Sequence, residues 1–310
     1  AILLLPLYAI MLALYIIFPQ TRIGAKKASF LKKLRVYSIS SLVMLVVAYI
    51  LVGVVYALTM YATPSEVVAR LITASLPGDG MAASRDFLLS LHTIPILKYY
   101  AQYLLGLFMV FTRMAGGNTT FLLGEVTNQS FFWYFPIAFI TKEMLGFLVL
   151  LLISFFILLR GCYTYVSVLI QSKKSRITTI VYAFGTYIGT HTLSLGFILF
   201  IGIYMFFTLR SNLNIGIRHI IPILPMLYIL TANTIAHWMQ TSTLRKSIVA
   251  VLCLWIVASY GFAYPYYLAY FNEAAGGRNN GHRILTDSNL DWGQDLKRLA
   301  RYVDDRGIES

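Results

Sequence analysis

The feature that most constrains this chain is a series of apolar runs, each close to the length of a membrane-spanning helix. A bilayer core about 30 Å thick is crossed by roughly 20 apolar residues in helical form. The runs are continuous rather than alternating, which is typical of helices and not of membrane strands. They predict six membrane spans, at 1–18, 36–61, 140–159, 179–207, 219–239 and 247–268.

Composition favours the same class of protein. Hydrophobic residues make up 58% of the 310 residues and charged residues 12%, with a mean hydropathy of +0.72. A soluble domain carries about 25% charged residues, so this chain has more apolar side chain than one water-soluble core would bury. We therefore predict an all-α polytopic membrane protein. The sequence opens at Ala1 inside an apolar run, and we expect it to be a fragment of a longer chain.

The basic residues predict the orientation of the spans. Three short connections, 19–35, 160–176 and 240–246, contain 12 of the 25 basic residues and none of the 12 acidic ones. The positive-inside rule places these connections in the cytoplasm. The loop 62–130 and the tail 269–310 then face the extracytoplasmic side of a plasma (inner) membrane. Because topology accounts for the net charge of +13, nucleic acid is not an expected partner.

Two stretches outside the spans predict further helices. The moderately apolar stretch 94–112 contains Lys98 and is expected to lie at the membrane interface rather than to cross the bilayer. In the tail, apolar residues recur at helical spacing from Leu296, and Gly307 is placed to end that helix. Asp287 or Asn289 is the expected residue at its N-terminal cap.

Two groups of charged residues lie at the predicted outer surface. Lys142 and Glu143 precede Arg160 by about 25 Å along a helix, at the outer end of the third span. Arg218 and His219 stand at the N-terminus of the fifth span, where free N–H groups and the helix dipole favour an anion. Arginine also offers bidentate donors to phosphate. The alternatives are a snorkelling Lys–Glu pair that ends a helix and an arginine that binds lipid headgroups in general.

The tail contains the densest set of polar residues. Such a set can bind a cation, pair with Arg218 or hold sugar hydroxyls, although a solvated, capped helix is the commoner outcome of this spacing. No H-E-x-x-H, C-x-x-C or G-x-x-x-x-G-K-[ST] motif occurs, which argues against zinc hydrolases and P-loop NTPases. We assign no metal site and no cofactor, although the carboxylates leave room for a divalent cation. The candidate residues of the tail are Asn272, Glu273, Asp287, Asn289, Asp291 and Trp292.

Several stretches resemble bacterial members of glycosyltransferase family 39, the protein-mannosyltransferase-like group of the GT-C superfamily. The resemblance runs from about residue 121 to the end of the chain and is more diffuse before that point. The tail motif is long and specific, whereas the apolar stretches are weak by themselves. The matching stretches are 121–125 (FLLGE), 133–139 (WYFPIAF) followed by Lys142, 214–219 (NIGIRH) followed by Pro222 and Pro225, 267–273 (YLAYFNE) followed by Gly276 and Gly277, and 287–296 (DSNLDWGQDL).

The resemblance implies a GT-C-like helix bundle over 1–268, with 269–310 as the start of a C-terminal extracytoplasmic domain. It implies an enzyme that moves a sugar from a polyprenyl-phosphate donor to a protein, lipid or glycan acceptor, with membrane lipid as a further partner. Lys142, Arg218 and His219 would then bind the donor phosphate, and Glu125 would line the substrate cavity with the tail residues. In the family, the general base is an acid in a loop before the first span of this chain, so we expect the fragment alone to be inactive.

Two other functions compete with this interpretation. A secondary transporter places polar groups or broken helices near the bilayer midplane, whereas the polar residues here concentrate at the predicted outer surface. A lipid-binding membrane scaffold would not require Lys142 and Arg218 to converge with the tail carboxylates. Convergence of these residues is therefore the feature that separates the candidates.

Overall fold

The structure is a computed structural model that describes residues 4–17, 29–171 and 176–308. Part of the predicted cytoplasmic connections, including Arg22, Lys26, Lys27, Lys173 and Lys174, lies outside the described residues. The chain divides into two compact units, a smaller one over 26–116 and a larger one that combines 1–25 with 117–310.

Helices account for most of the described chain. Short 3-10 turns occur at Ile217–His219, Ile221–Ile223, Glu273–Ala275, Gly281–Arg283 and Asp287–Asn289, and one antiparallel hairpin pairs β1 (Thr120–Leu122) with β2 (Glu125–Thr127). The helices are α1 (Leu4–Ile17), α2 (Phe30–Met60), α3 (Ser65–Ser75), α4 (Ala82–Thr93), α5 (Lys98–Gly116), α6 (Tyr134–Lys142), α7 (Leu145–Gln171), α8 (Arg176–Leu209), α9 (Leu224–Met239), α10 (Thr243–Ala263) and α11 (Leu296–Arg306).

Within the described residues, four helices are long and apolar enough to cross a membrane. They are α2, the part of α7 over Leu145–Ser167, the part of α8 over Tyr187–Leu209, and α10. This agrees with four of the six predicted spans. The other two predicted spans correspond to the shorter helices α1 and α9, which have 14 and 16 residues in the described chain.

Proline residues shift two helix boundaries from their predicted positions. The fifth span was predicted from residue 219, but α9 begins at Leu224, after two 3-10 turns of which the second contains Pro222. Proline fits the first turn of a helix, where its missing N–H is not needed. The sixth span was predicted to reach residue 268, but α10 ends at Ala263. Pro265 disfavours the helical conformation in the residue before it, and that residue has an extended ψ of 137°.

The third predicted span differs at both ends. Residues 134–142 form a separate helix, because Glu143 has an extended backbone (ψ 148°) between α6 and α7. The break leaves Lys142 and Glu143 before the first residue of α7. At the other end, α7 continues past Arg160 to Gln171, through a stretch without proline that was predicted to be a connection.

The core of the larger unit lies where α6, α8, the start of α9 and the tail meet. Its buried residues come from segments that are distant in sequence, including the hairpin (Leu122), α6 (Phe135) and the tail (Phe271 and Leu285). A second cluster, around Leu150, Ile235 and Leu252, packs α7, α9 and α10 together. The tail is thus part of the larger unit's core.

The smaller unit contains α2 to α5. Its buried residues are Val68 and Ile72 on α3, Leu76 after it, Leu88 on α4 and Leu105 on α5. The stretch that was predicted as an interfacial helix at 94–112 is helical as α5, which begins at Lys98. None of these residues belongs to the candidate site.

Candidate functional site

Lys142 is the last residue of α6, and Asn272 holds that end of the helix. The Asn272 side chain is buried, and its amide donates to the carbonyl oxygens of Ile140 at 2.6 Å and Glu143 at 2.9 Å. Its backbone N–H donates to the carbonyl of Thr141 at 2.9 Å. The last carbonyls of a helix have no partner within it, so Asn272 satisfies them. Predicted to line a substrate cavity, Asn272 instead fixes the position of Lys142.

The Lys142 ammonium is surrounded by groups from the tail. Its Nζ donates to the carbonyl oxygens of Leu268 at 2.7 Å and Asn289 at 2.5 Å, and it lies 4.4 Å from the centroid of the Phe271 ring. A lysine ammonium has three donors, so one N–H is left for a ligand. Burial lowers the pKa of Lys142 to about 7. At neutral pH this lysine is therefore close to the point where its charge is lost.

Asn289 joins the separate segments of the site. Its side chain is fully buried, and all of its polar atoms are hydrogen-bonded. Besides the carbonyl that accepts from Lys142, Oδ1 accepts from the backbone N–H of Ile217 at 3.0 Å. Nδ2 donates to the Tyr134 hydroxyl at 2.9 Å and to the Thr286 carbonyl at 3.2 Å. Asn289 thus links α6, the 214–219 segment and the tail, and it is too buried to line an open cavity.

Gly216 lets the 214–219 segment pack directly on the tail. Its φ is +101°, and a Cβ at this position would lie 3.1 Å from the Ser288 Cβ. A larger residue would therefore be strained in its backbone and crowded against the tail. Nearby, the buried side chain of Asn214 accepts a hydrogen bond from the Phe131 backbone N–H at 2.7 Å. The backbone that leads into Arg218 is consequently well fixed.

Arg218 and His219 follow this fixed segment. The Arg218 guanidinium lies 5.7 Å from the centroid of the Trp292 ring, and the indole N–H of Trp292 donates to the Ser288 carbonyl at 2.6 Å. The tail that carries Asn289 therefore also orients the arginine. The His219 ring lies 6.1 Å from that of Phe135. Burial, with a smaller contribution from the Arg218 charge, lowers the pKa of His219 and so favours its neutral imidazole.

Asp287 lines a small pocket next to Tyr134 and Asn214. The pocket has a volume of about 130 Å³, and its walls include Tyr134, Asn214 and Val126 of the hairpin. Asp287 has a φ of +55° and an exposed carboxylate, which accepts from the Ser288 hydroxyl at 2.9 Å. Aspartate is one of the few residues that adopt this left-handed conformation readily. The pocket offers carboxylate and hydroxyl groups together.

The other predicted acids lie apart from one another. The Asp291 carboxylate accepts from the Gly293 backbone N–H at 2.8 Å, and that of Glu273 accepts from the Ser259 hydroxyl at 2.7 Å. Glu125 is exposed on β2, opposite Leu122. Among the residues that the structure describes, no group of three or more His, Cys, Asp or Glu side chains is placed to hold a metal ion. The described residues therefore offer no set of ligands for the divalent cation that the sequence left open.

Three residues of the site were not predicted from the sequence. Tyr134 belongs to the apolar stretch 133–139 that was quoted for the resemblance, and nothing in its neighbours indicates a hydroxyl bonded to a buried amide. Asn214 and Gly216 belong to a stretch quoted for the resemblance, but their roles depend on contact with the tail. Comparison of the chain with protein-family models, curated proteins and solved structures finds no match.

Proposed function

We propose that the full-length protein is a membrane glycosyltransferase, of the family-39 type within the GT-C superfamily, that uses a polyprenyl-phosphate-linked sugar. The observation that carries this proposal is the convergence on Asn289 of segments separated by up to 155 residues. These are the segments that resemble the family, and they carry Lys142 and Arg218. A scaffold that only binds lipid would not require this convergence.

The chemistry of the donor explains why two cations would be useful. Transfer of the sugar breaks the bond between its anomeric carbon and the phosphate oxygen, and negative charge develops on the departing lipid phosphate. Preorganised donors aimed at that charge lower the barrier. Arg218 supplies a planar fork of N–H groups, and Lys142 supplies its remaining N–H. His219, with a neutral imidazole, contributes a hydrogen bond rather than a charge.

The exposed acidic residues are better suited to bind the sugar or the acceptor than to bind the negatively charged phosphate. Asp287 opens into the pocket beside Tyr134, where a carboxylate can accept hydrogen bonds from sugar hydroxyls. Asp291, Glu273 and Glu125 are exposed on the same unit. We propose that these groups act in substrate recognition on the extracytoplasmic face of the plasma membrane, as the charge pattern of the connections predicts.

The test is sugar transfer by the full-length protein from a polyprenyl-phosphate sugar. Arg218→Ala should reduce turnover at least about 100-fold, the size of effect seen when one oxyanion donor is lost, while insertion into the membrane is unchanged. Arg245→Ala is a matched control, because Arg245 also lies over a tryptophan, Trp238 at 5.1 Å, but in a predicted cytoplasmic connection. Wild-type turnover by Arg218→Ala would refute the assignment of Arg218 to the donor phosphate.

The transporter alternative has one feature in its favour, which is a distortion of α8. The helix departs from helical geometry at His191 (φ −114°, ψ 22°). This residue is exposed and lies only four residues after the start of the span Tyr187–Leu209. A transporter site is expected near the middle of the bilayer, so the position of the distortion favours the transferase. Uptake of a solute by the purified protein in vesicles, without sugar transfer, would reverse this conclusion.

A further inference from the structure

A second pocket in the larger unit shares Lys142 with the proposed phosphate site, but its other residues have no role in the proposed sugar transfer. It has a volume of about 470 Å³ and is lined by Lys142, Glu143 and four tyrosines, together with apolar residues of α7 and α10. The tyrosines are Tyr228, Tyr260, Tyr267 and Tyr270. We call it the tyrosine pocket. Tyr260 is 53% exposed and Tyr267 42% exposed, so the pocket opens at the surface of the unit.

Glu143 provides a carboxylate at the inner wall of this pocket. The residue is only 8% exposed, and its two carboxylate oxygens accept from the Tyr228 hydroxyl at 3.2 and 3.1 Å. One hydroxyl leaves most of the acceptor capacity of a carboxylate unused. Burial raises the pKa of Glu143, and the hydrogen bond from Tyr228 opposes this shift only in part. A cationic ligand would supply a further partner.

Tyr270 adds a second polar group to the wall of this pocket, on the side of Ser259. Its hydroxyl is buried, and a buried polar group is costly unless it forms hydrogen bonds. Its ring lines the same pocket as Glu143. A ligand that donates hydrogen bonds can bind to both groups.

The candidate membrane spans predict that the pocket lies at the level of the lipid headgroups. Phe147 stands near the first residue of the candidate span in α7, and Tyr260 and Ala263 stand at the end of the span in α10. The ends of two neighbouring spans mark the boundary between hydrocarbon and headgroups. Tyrosine is also enriched at this boundary. The occupant is therefore expected to be an amphiphile whose polar end reaches this depth.

We infer that the tyrosine pocket binds the primary ammonium headgroup of a zwitterionic phospholipid, with the carboxylate of Glu143 and the hydroxyl of Tyr270 as its acceptors. Aromatic rings attract cations through their faces, which suits the four tyrosines. A primary ammonium fits better than a quaternary one, because it can donate hydrogen bonds to the carboxylate and to the hydroxyl. This inference does not rest on the proposed sugar transfer.

Lys142 lines the same pocket, and its positive charge would repel a ligand that is only cationic. The ligand therefore needs a negative group near Lys142 as well. The Lys142 ammonium is held against the carbonyls of Leu268 and Asn289. In an ethanolamine phospholipid, the phosphate is separated from the amine by only two carbon atoms. Adjacent residues of opposite charge, Lys142 and Glu143, match that arrangement, so the phospholipid and the proposed sugar donor would bind the remaining N–H of Lys142 in alternation. A purely anionic lipid would leave the charge of Glu143 without a partner.

The experiment measures lipids retained by the full-length protein with native mass spectrometry. The probes are dioleoyl phosphatidylethanolamine, phosphatidylcholine and phosphatidylglycerol, which share their tails and differ in their headgroups. We expect phosphatidylethanolamine to bind at least about tenfold more tightly than either of the others, the lower bound for a hydrogen bond to a charged group.

Glu143→Gln should remove the preference, since the amide still accepts from Tyr228 but carries no charge. Tyr270→Phe should reduce the preference for phosphatidylethanolamine several-fold. It removes one hydroxyl and no charge, so it provides the test if Glu143→Gln does not fold. Glu66→Gln, an exposed acid of the smaller unit, makes the same charge change and should have no effect. Equal binding of all three lipids, preference for phosphatidylglycerol, or an unchanged preference in Glu143→Gln would overturn the inference.

Discussion

The ammonium group of Lys142 donates a hydrogen bond to the main-chain carbonyl of Asn289 at 2.5 Å, across 147 residues of sequence. The same asparagine binds the backbone next to Arg218 through its side chain. The two cations of the proposed phosphate site are therefore positioned by one buried residue. A change at Asn289 should disturb both cations at once.

Asn289→Ala should destabilise the larger unit by about 2–3 kcal/mol, because it leaves the Ile217 N–H and the Tyr134 hydroxyl without their partner in a buried place. Thermal unfolding in detergent measures this change, and donor affinity should fall with it. Asn279→Ala is the control, since Asn279 is an exposed residue of the same tail. A melting temperature equal to that of the wild type would contradict the role assigned to Asn289.

Lys142 should give the proposed reaction a pH dependence. A lysine with a pKa of about 7 is charged below that pH and neutral above it, so kcat/KM should be highest below pH 7. Above it, kcat/KM should fall by up to about tenfold per pH unit. The phosphodiester of the donor keeps one negative charge throughout and cannot cause this decline.

Lys142→Arg separates this effect from other titrating groups. The guanidinium stays charged over the whole range, so the decline between about pH 7 and about pH 9 should disappear even if the maximal rate is lower. A variant that retains the wild-type pH profile would show that the titrating group is not Lys142. Measurement of kcat/KM, rather than kcat, reports the free protein to which this pKa belongs.

The sequence predicted the class of fold because hydrophobic length is a local property. Four of the predicted spans correspond to helices long enough to cross a membrane. Boundaries were less accurate where tertiary contacts or proline decide them. The break between α6 and α7 depends on Asn272, which supplies hydrogen bonds to the end of α6 from 129 residues away. No local pattern near Glu143 contains that information.

The site was predictable only for residues whose chemistry is unusual in their surroundings. Lys142 and Arg218 are cations beside apolar runs, and this unusual position can be recognised from the sequence alone. Asp287 or Asn289 was expected to cap α11, but the cap position is occupied by Asp295, and Asn289 is buried among distant segments. The tyrosines of 260–270 were not singled out, although their density is typical of a membrane interface and could have indicated the tyrosine pocket.

Gly146 should be essential for the packing of α7 against α10. A Cβ at this position would lie 2.7 Å from the Leu252 carbonyl oxygen and 2.9 Å from the Ile256 Cγ1. Gly146→Ala should therefore destabilise the protein by about 1–3 kcal/mol through overpacking. Gly161→Ala, in the same helix with open space around it, should be neutral or slightly stabilising, because alanine is the better helix former. Equal melting temperatures for the two variants in detergent would contradict this account of the interface.

The last prediction concerns the two acids of the DSNLD stretch. Replacing both Asp287 and Asp291 with Asn retains the left-handed backbone at 287, which asparagine also adopts, and retains acceptors for the Ser288 hydroxyl and the Gly293 N–H. The fold should therefore persist, while two carboxylates that can bind sugar hydroxyls are lost. Hydrogen bonds to charged groups exceed neutral ones by about 1 kcal/mol each, so turnover should fall about 10- to 30-fold.

The matched control for this pair is Asp304→Asn with Asp305→Asn, two exposed acids on α11 of the same tail. It makes the same change in net charge away from the Asp287 pocket, and it should leave turnover unchanged. If both double variants lose activity equally, the effect comes from the overall charge of the tail. If neither loses donor affinity or turnover, Asp287 and Asp291 do not form part of the substrate cavity, because their carboxylates are the only groups that the first pair removes.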